Sequence, residues 1–209
     1  MTPEKKRKIA KVLSLVVTAG GILVIIGWIF DIGVLKSIIP AWVSMKFDTA
    51  LSFILSGITL YFIARAVEGE FDKAQVVLSI TSLIIILLMG LLLFSEILKI
   101  NTGLEQLFVK DSVSSPMTVV PGRPSMLTML NFVLIALAGI LTTLSPHKSL
   151  SGLKFIGLIV AAIGAVAVIG YIINNPHMYY YVAGINSAIA FHTAVLFILL
   201  GFGLICLSD

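Results

Sequence analysis

The chain alternates long apolar runs with short polar breaks. Six runs approach the ~20 residues that a bilayer core requires, at about 12–30, 47–64, 75–94, 126–145, 155–173 and 187–207. Each reads as a membrane-crossing helix. The second is the shortest: Asp48 and Arg65 bracket it, and their side chains are expected to snorkel to the two interfaces. No proline lies in the middle of any run. Six crossings place both termini on one side of the membrane.

The runs also repeat. When Thr49, Thr128 and Thr193 are aligned, Phe53, Phe132 and Phe197 fall in register, followed by Gly57, Ala136 and Gly201. On an α-helix these positions are i, i+4 and i+8, so each set shares one face and forms a packing seam. The odd-numbered runs match around Gly27-Trp28, Gly90-Leu91 and Gly170-Tyr171. The unit is therefore a helical hairpin, present three times at approximately 12–64, 75–145 and 155–207. Tandem hairpins in one orientation suggest a bundle with pseudo-threefold symmetry about the membrane normal, unlike the inverted repeats of many transporters. The middle hairpin carries about fifteen extra residues in its outer connection, a length common in functional loops. Within this capping loop, approximately 101–124, GLEQLFV is expected to form a short interfacial helix before an irregular Pro- and Gly-containing stretch.

Composition supports one all-α polytopic membrane domain spanning 1–209. Hydrophobic residues make up 59% of the chain, charged residues only 11%, and mean hydropathy is +1.12; a soluble domain usually carries about 25% charged residues. Lys5, Lys6, Arg7, Lys8, Lys11, Arg65, Lys73, Lys148 and Lys154 fall on the terminal side, against Lys36, Lys46, Lys99, Lys110 and Arg123 opposite. That bias predicts cytoplasmic termini. The N-terminal basic cluster reads as a topology anchor on anionic lipid, not a nucleic-acid site. The run behind it is too long for a cleaved signal peptide. A single cysteine, Cys206, excludes an internal disulfide or a thiolate metal cluster.

Polar groups inside a bilayer are costly, so those gathered at one depth point to function. The outer helix ends supply Asp31, Ser95, Glu96 and Asn174, and Asp48, Asn131, Asn186 and His192 beside the repeat threonines. Asp48, Leu127 and His192 each precede a repeat threonine and are expected to surround a shared outer vestibule. Each threonine also reads as a helix cap or first-turn hydroxyl. His192 can hydrogen-bond, titrate or bind metal. With His177 it offers two haem ligands, but nothing enforces axial geometry. The favoured ligand is a quinone or another lipid-soluble carbonyl compound, with Trp28, Tyr171 and the Tyr179–Tyr181 run as flat walls. Those aromatics equally read as an interfacial belt. No nucleophile elbow, phosphate-binding loop, HExxH or CxxC motif occurs, so no enzyme is expected within this chain. The spans also hold too few ionisable groups for an ion relay.

The segment LEQLFVKDSVSSPMTVVPGRPSMLTMLNFVLIALAGIL resembles six-helix N-terminal membrane modules of prokaryotic sensor histidine kinases and diguanylate cyclases, in which a Gly-Arg turn leads into a Thr-Ala-Leu-x-Phe helix. AFHTAVLFILLGFGLICLSD is similar to their last helix. This chain departs at Met129, where alanine is usual, and in the polar turn DIGVLKSIIP. The resemblance implies a sensory input domain in a prokaryotic plasma membrane, with Arg123 and His192 as site or conformational elements. Asp48 and Asn131 join them on geometric grounds. Helix six would pass the signal to a cytoplasmic output domain or protein, encoded after Asp209 or on a partner, and a homodimer would suit a kinase output. A small transporter or channel subunit and a haem- or quinone-linked redox subunit are the alternatives.

Overall fold

A computed structural model describes residues 1–111, 117–118, 120–145, 150–180 and 187–208. The expectations for Lys148, Tyr181 and Asn186 lie outside the described residues. Helix accounts for 76% of the described residues, which contain no strand. The principal helices are α1 (Pro3–Ile29), α2 (Phe47–Val67), α3 (Phe71–Leu98), α4 (Met126–Leu144), α5 (Leu150–Ile172) and α6 (Phe191–Leu207). The first five are long and apolar enough to cross a membrane, whereas α6 is apolar but has only 17 residues.

Local chemistry sets the helix ends. Thr2 caps α1 by accepting from Lys5 N, and Pro3 occupies the first turn, where its missing N–H costs nothing. The helix thus begins ahead of the predicted residue 12 and takes in the basic cluster. Its terminal neighbours bind that cluster: Lys11 and Arg7 both pair with Glu68 at the end of α2. Helix α3 contains a π-helical turn at Ile86–Gly90 and stops at Lys99, which is left-handed with φ 55°. Ser125 caps α4, its Oγ accepting from Thr128 N at 3.2 Å. The last helix begins at Phe191 instead of 187. The predicted interfacial helix in GLEQLFV shrinks to one 3₁₀ turn, Leu104–Gln106.

The even helices are the inner ones. Of the apolar window in α2 and α4, 56% and 50% is buried, against 28%, 33% and 39% in α1, α3 and α5. Phe53, Phe132 and Phe197 meet at the centre with ring centroids 4.8, 4.9 and 5.0 Å apart. All three are wholly buried. Around this triangle α1 packs against α2 and α6, α3 against α2 and α4, and α5 against α6 and α4. The outward faces carry exposed apolar side chains such as Leu23, Ile80, Leu83, Phe155 and Leu158, as a lipid-facing surface requires.

The first and third hairpins share their contacts. A Cβ on Gly21 would lie 2.6 Å from Ala50 O, and one on Gly164 would lie 2.6 Å from Ala194 O. Gly57 abuts Ser14 and Thr18, while Gly201 abuts Gly157 and Ala161. Small residues let the backbones close in. The middle hairpin has Met129 and Ala136 at these inner positions, and its outer helix carries the π turn.

Candidate ligand site at the distal end

At the end of the bundle opposite the two termini, the three inner helices all begin. Thr49, Thr128 and Thr193 are the third residues of α2, α4 and α6, so they are first-turn residues and not caps. All three line a small cavity together with Lys46, Arg123 and Ser125. Its open core is ≈ 10 Å³, about the room one water molecule needs. Thr128 Oγ1 lies 2.7 Å from Ser125 Oγ. Three helix N-termini give this end a positive dipole potential.

The long connection is clasped over this cavity by buried ion pairs. Gly122 holds φ 79°, and a Cβ there would sit 2.1 Å from Glu105 O, so only glycine fits this turn. The turn aims Arg123 inward. Its Nη1 donates to Glu96 at 2.8 Å and its Nε to Glu105 at 3.0 Å; Nη2 donates to Glu105, to Ile100 O at 3.0 Å and to Asn101 Oδ1 at 3.2 Å. A second pair joins Lys46 Nζ to Asp111 Oδ2 at 2.8 Å, and that oxygen also accepts from Gly122 N at 3.1 Å. Phe108 stacks on Phe47 with centroids 5.6 Å apart.

Burial and pairing oppose each other in this clasp. Burial lowers the basicity of both cations, but the Glu105 and Glu96 carboxylates outweigh it at Arg123 and hold that guanidinium above its ordinary value. At Lys46 burial wins, leaving the ammonium below its ordinary value despite Asp111. Burial pushes Glu105 upward, yet its hydrogen bonds from Arg123 hold the carboxyl below the usual range.

Among the sequence-predicted site residues, Arg123 lines the cavity. Asp48 is buried beside the clasp and does not snorkel to an interface, because the loop covers the start of α2. Arg65, at the other end, bonds Tyr61 and Glu70. Asp48 and His192 are absent from the cavity lining; each precedes a lining threonine, and one residue turns a helix by about 100°. The predicted shared vestibule of Asp48, Leu127 and His192 is therefore not the described cavity, which the repeat threonines line instead. His192 Nε2 is buried without a described partner. Asn131 is wholly enclosed beside Phe132, with neither side-chain amide atom partnered among the described residues.

Trp28 and Tyr171 act at the same distal level as backbone latches. Trp28 Nε1 donates to Met45 O at 2.9 Å, and Tyr171 OH donates to Ile189 O at 2.8 Å. Each acceptor lies four residues before a repeat threonine. Tyr171 also stacks on Tyr179 at 3.8 Å, whereas His177 is exposed. Sequence reasoning missed Lys46, Asp111 and Glu105. Their signal was charge persisting beside apolar runs, but a pairing across 65 positions leaves no local pattern.

The arrangement can hold a water-sized polar group by hydroxyl and cationic hydrogen bonds. A quinone ring does not fit the described cavity unless the loop moves. No known family, curated protein or solved structure matches the chain.

Proposed function

We propose that this chain is a sensory input module of a prokaryotic plasma membrane, crossing the bilayer six times as a pseudo-threefold bundle with both termini in the cytoplasm. It reads a small, lipid-soluble ligand near the outer leaflet, with a quinone-like carbonyl as the favoured headgroup, and passes the change through α6 to a cytoplasmic signalling output domain or protein. The observation carrying this reading is the shared cavity where all three inner helices begin beneath an ion-clasped loop. A ligand that displaces the loop changes the start of α6 directly, and α6 is a single uninterrupted helix toward the C-terminus. The Phe53–Phe132–Phe197 triangle fills the axis, which disfavours a channel along it.

The test is mass spectrometry of small molecules co-purifying from native membranes, followed by rebinding. A defined apolar ligand that rebinds with reduced affinity to His192→Ala or Arg123→Ala, while both variants remain monodisperse, supports the proposal. The absence of any bound or rebinding apolar compound refutes it. A Soret absorbance band would favour the haem-linked redox reading instead.

A further inference from the structure

Assembly of the clasp leaves one buried carboxylate unused. At this end Lys46 and Arg123 are enclosed with Asp111, Glu105 and Asp48, and Glu96 is nearly so. The two cations are committed to Asp111, Glu105 and Glu96. Asp48 is 2% exposed, its Oδ2 has no described partner, and the charged group acting on it is another acid, Glu105. An anion enclosed in this way is strongly unfavourable unless a positive charge joins it.

A second observation concerns oxygen donors. Ser52 and Ser56 follow Asp48 at i+4 and i+8, so they continue along one side of α2. Both are wholly buried, and neither Oγ has a described partner. Thr59 continues the stripe, with its hydroxyl 2.8 Å from Thr81 Oγ1 on α3. Ser82 Oγ, also buried without a described partner, lies 2.3 Å from where a Gly139 Cβ would be. The stripe thus runs down the wedge between α2, α3 and α4. The repeat positions equivalent to Asp48 and Ser52 are Leu127 and Asn131 on α4, and His192 and Leu196 on α6. Only the α2 copy combines a carboxylate with a hydroxyl one turn below it.

We infer that Asp48 and Ser52 bind a monovalent cation of sodium size, and that the Ser56–Thr59–Ser82 hydroxyls extend this site as a hydrated polar wedge. A hard cation takes oxygen ligands, and a single unpaired carboxylate with neutral hydroxyls suits one positive charge. Calcium and magnesium sites usually gather more carboxylates. The described residues hold no cluster of His, Cys, Asp and Glu able to take a transition metal. This site is separate from the axial cavity and does not depend on the sensory reading.

The test uses the full chain in nanodiscs, unfolded thermally at fixed pH and ionic strength with NaCl exchanged for choline chloride. The expected result is a saturable rise of several degrees in Tm with Na⁺, shared by Li⁺ and absent with choline. Asp48→Asn is expected to abolish that dependence, and Ser52→Ala to raise the half-saturating Na⁺ concentration by about tenfold. Should Asp48→Asn fail to fold, Ser52→Ala and ²³Na line broadening of the wild-type chain carry the same test. Equal Tm in Na⁺ and choline, an unchanged response in Asp48→Asn or Ser52→Ala, or a Tm that follows pH alone would overturn the inference; the last result assigns the charge balance to a proton.

Discussion

Replacing Arg123 with alanine is the sharpest test of the clasp. The substitution removes donors to Glu96, Glu105, Ile100 O and Asn101 at once. Removing one partner of a buried ion pair typically costs about 3–5 kcal/mol, because the remaining charge stays enclosed. Here the Glu96 side chain is 13% exposed and can partly rehydrate, so the lower end, about 3 kcal/mol, is expected. The cost falls first on local opening of the loop, since the helices beneath keep their own contacts. At 1.36 kcal/mol per decade, the loop amides should exchange roughly 100-fold faster. Hydrogen exchange in nanodiscs reads this at Gly122 N and Arg123 N, which are bonded to Asp111 and Val120 O. Arg123→Lys should restore little, because an ammonium cannot reproduce the guanidinium fork. Adding Glu105→Gln to Arg123→Ala should recover part of the loss. Unchanged exchange across residues 120–123 in Arg123→Ala would refute the reasoning. Acid should mimic the mutation with a definite sign. Glu105 is depressed on folding, so its contribution is complete above its ordinary value of 4.5 and is lost as pH falls through the lower folded value.

Asp111→Ala should destabilise the protein by about 3–5 kcal/mol by stranding Lys46, and adding Lys46→Met should restore much of it in a thermal unfolding assay. Gly21→Ala and Gly164→Ala each force a methyl against a backbone carbonyl 2.6 Å away, and should cost about 1–3 kcal/mol by overpacking. Gly90→Ala, whose Cβ would meet only Ile86 at 3.6 Å, should be neutral or stabilising in the same assay. Tyr171→Phe removes the latch to Ile189 O, and a Tm loss corresponding to about 1–2 kcal/mol is expected.

The helical class and the repeat were legible because both are local patterns. The positions Phe53, Phe132 and Phe197 were matched by spacing alone, and they are the residues that touch at the bundle centre. The Gly-aromatic pairs were equally visible, but Trp28 and Tyr171 have apolar bodies with polar tips, and only geometry shows the tips bonded to backbone. Asp48 was misread for a related reason. Snorkelling assumes water beyond the helix end, and there the long connection takes water's place. The extent of that connection was readable from its length, while its clasp required pairings between Lys46 and Asp111 and between Arg123 and Glu96 that no periodicity records. The π turn in α3 likewise has no sequence signature beyond Gly90.

The latches divide the molecule by the kind of force that closes it. In the first and third hairpins an indole N–H and a phenol O–H make the same bond to the same backbone position, a neutral fastening that salt barely weakens. In the middle hairpin the corresponding residues are Leu91 and Pro124, so neither a side-chain donor nor a matching latch is present, and charge does the fastening instead. The two backbone latches are thus indifferent to ionic strength, whereas the fastening of the middle hairpin, shared with Lys46 of the first, is one that acid can loosen.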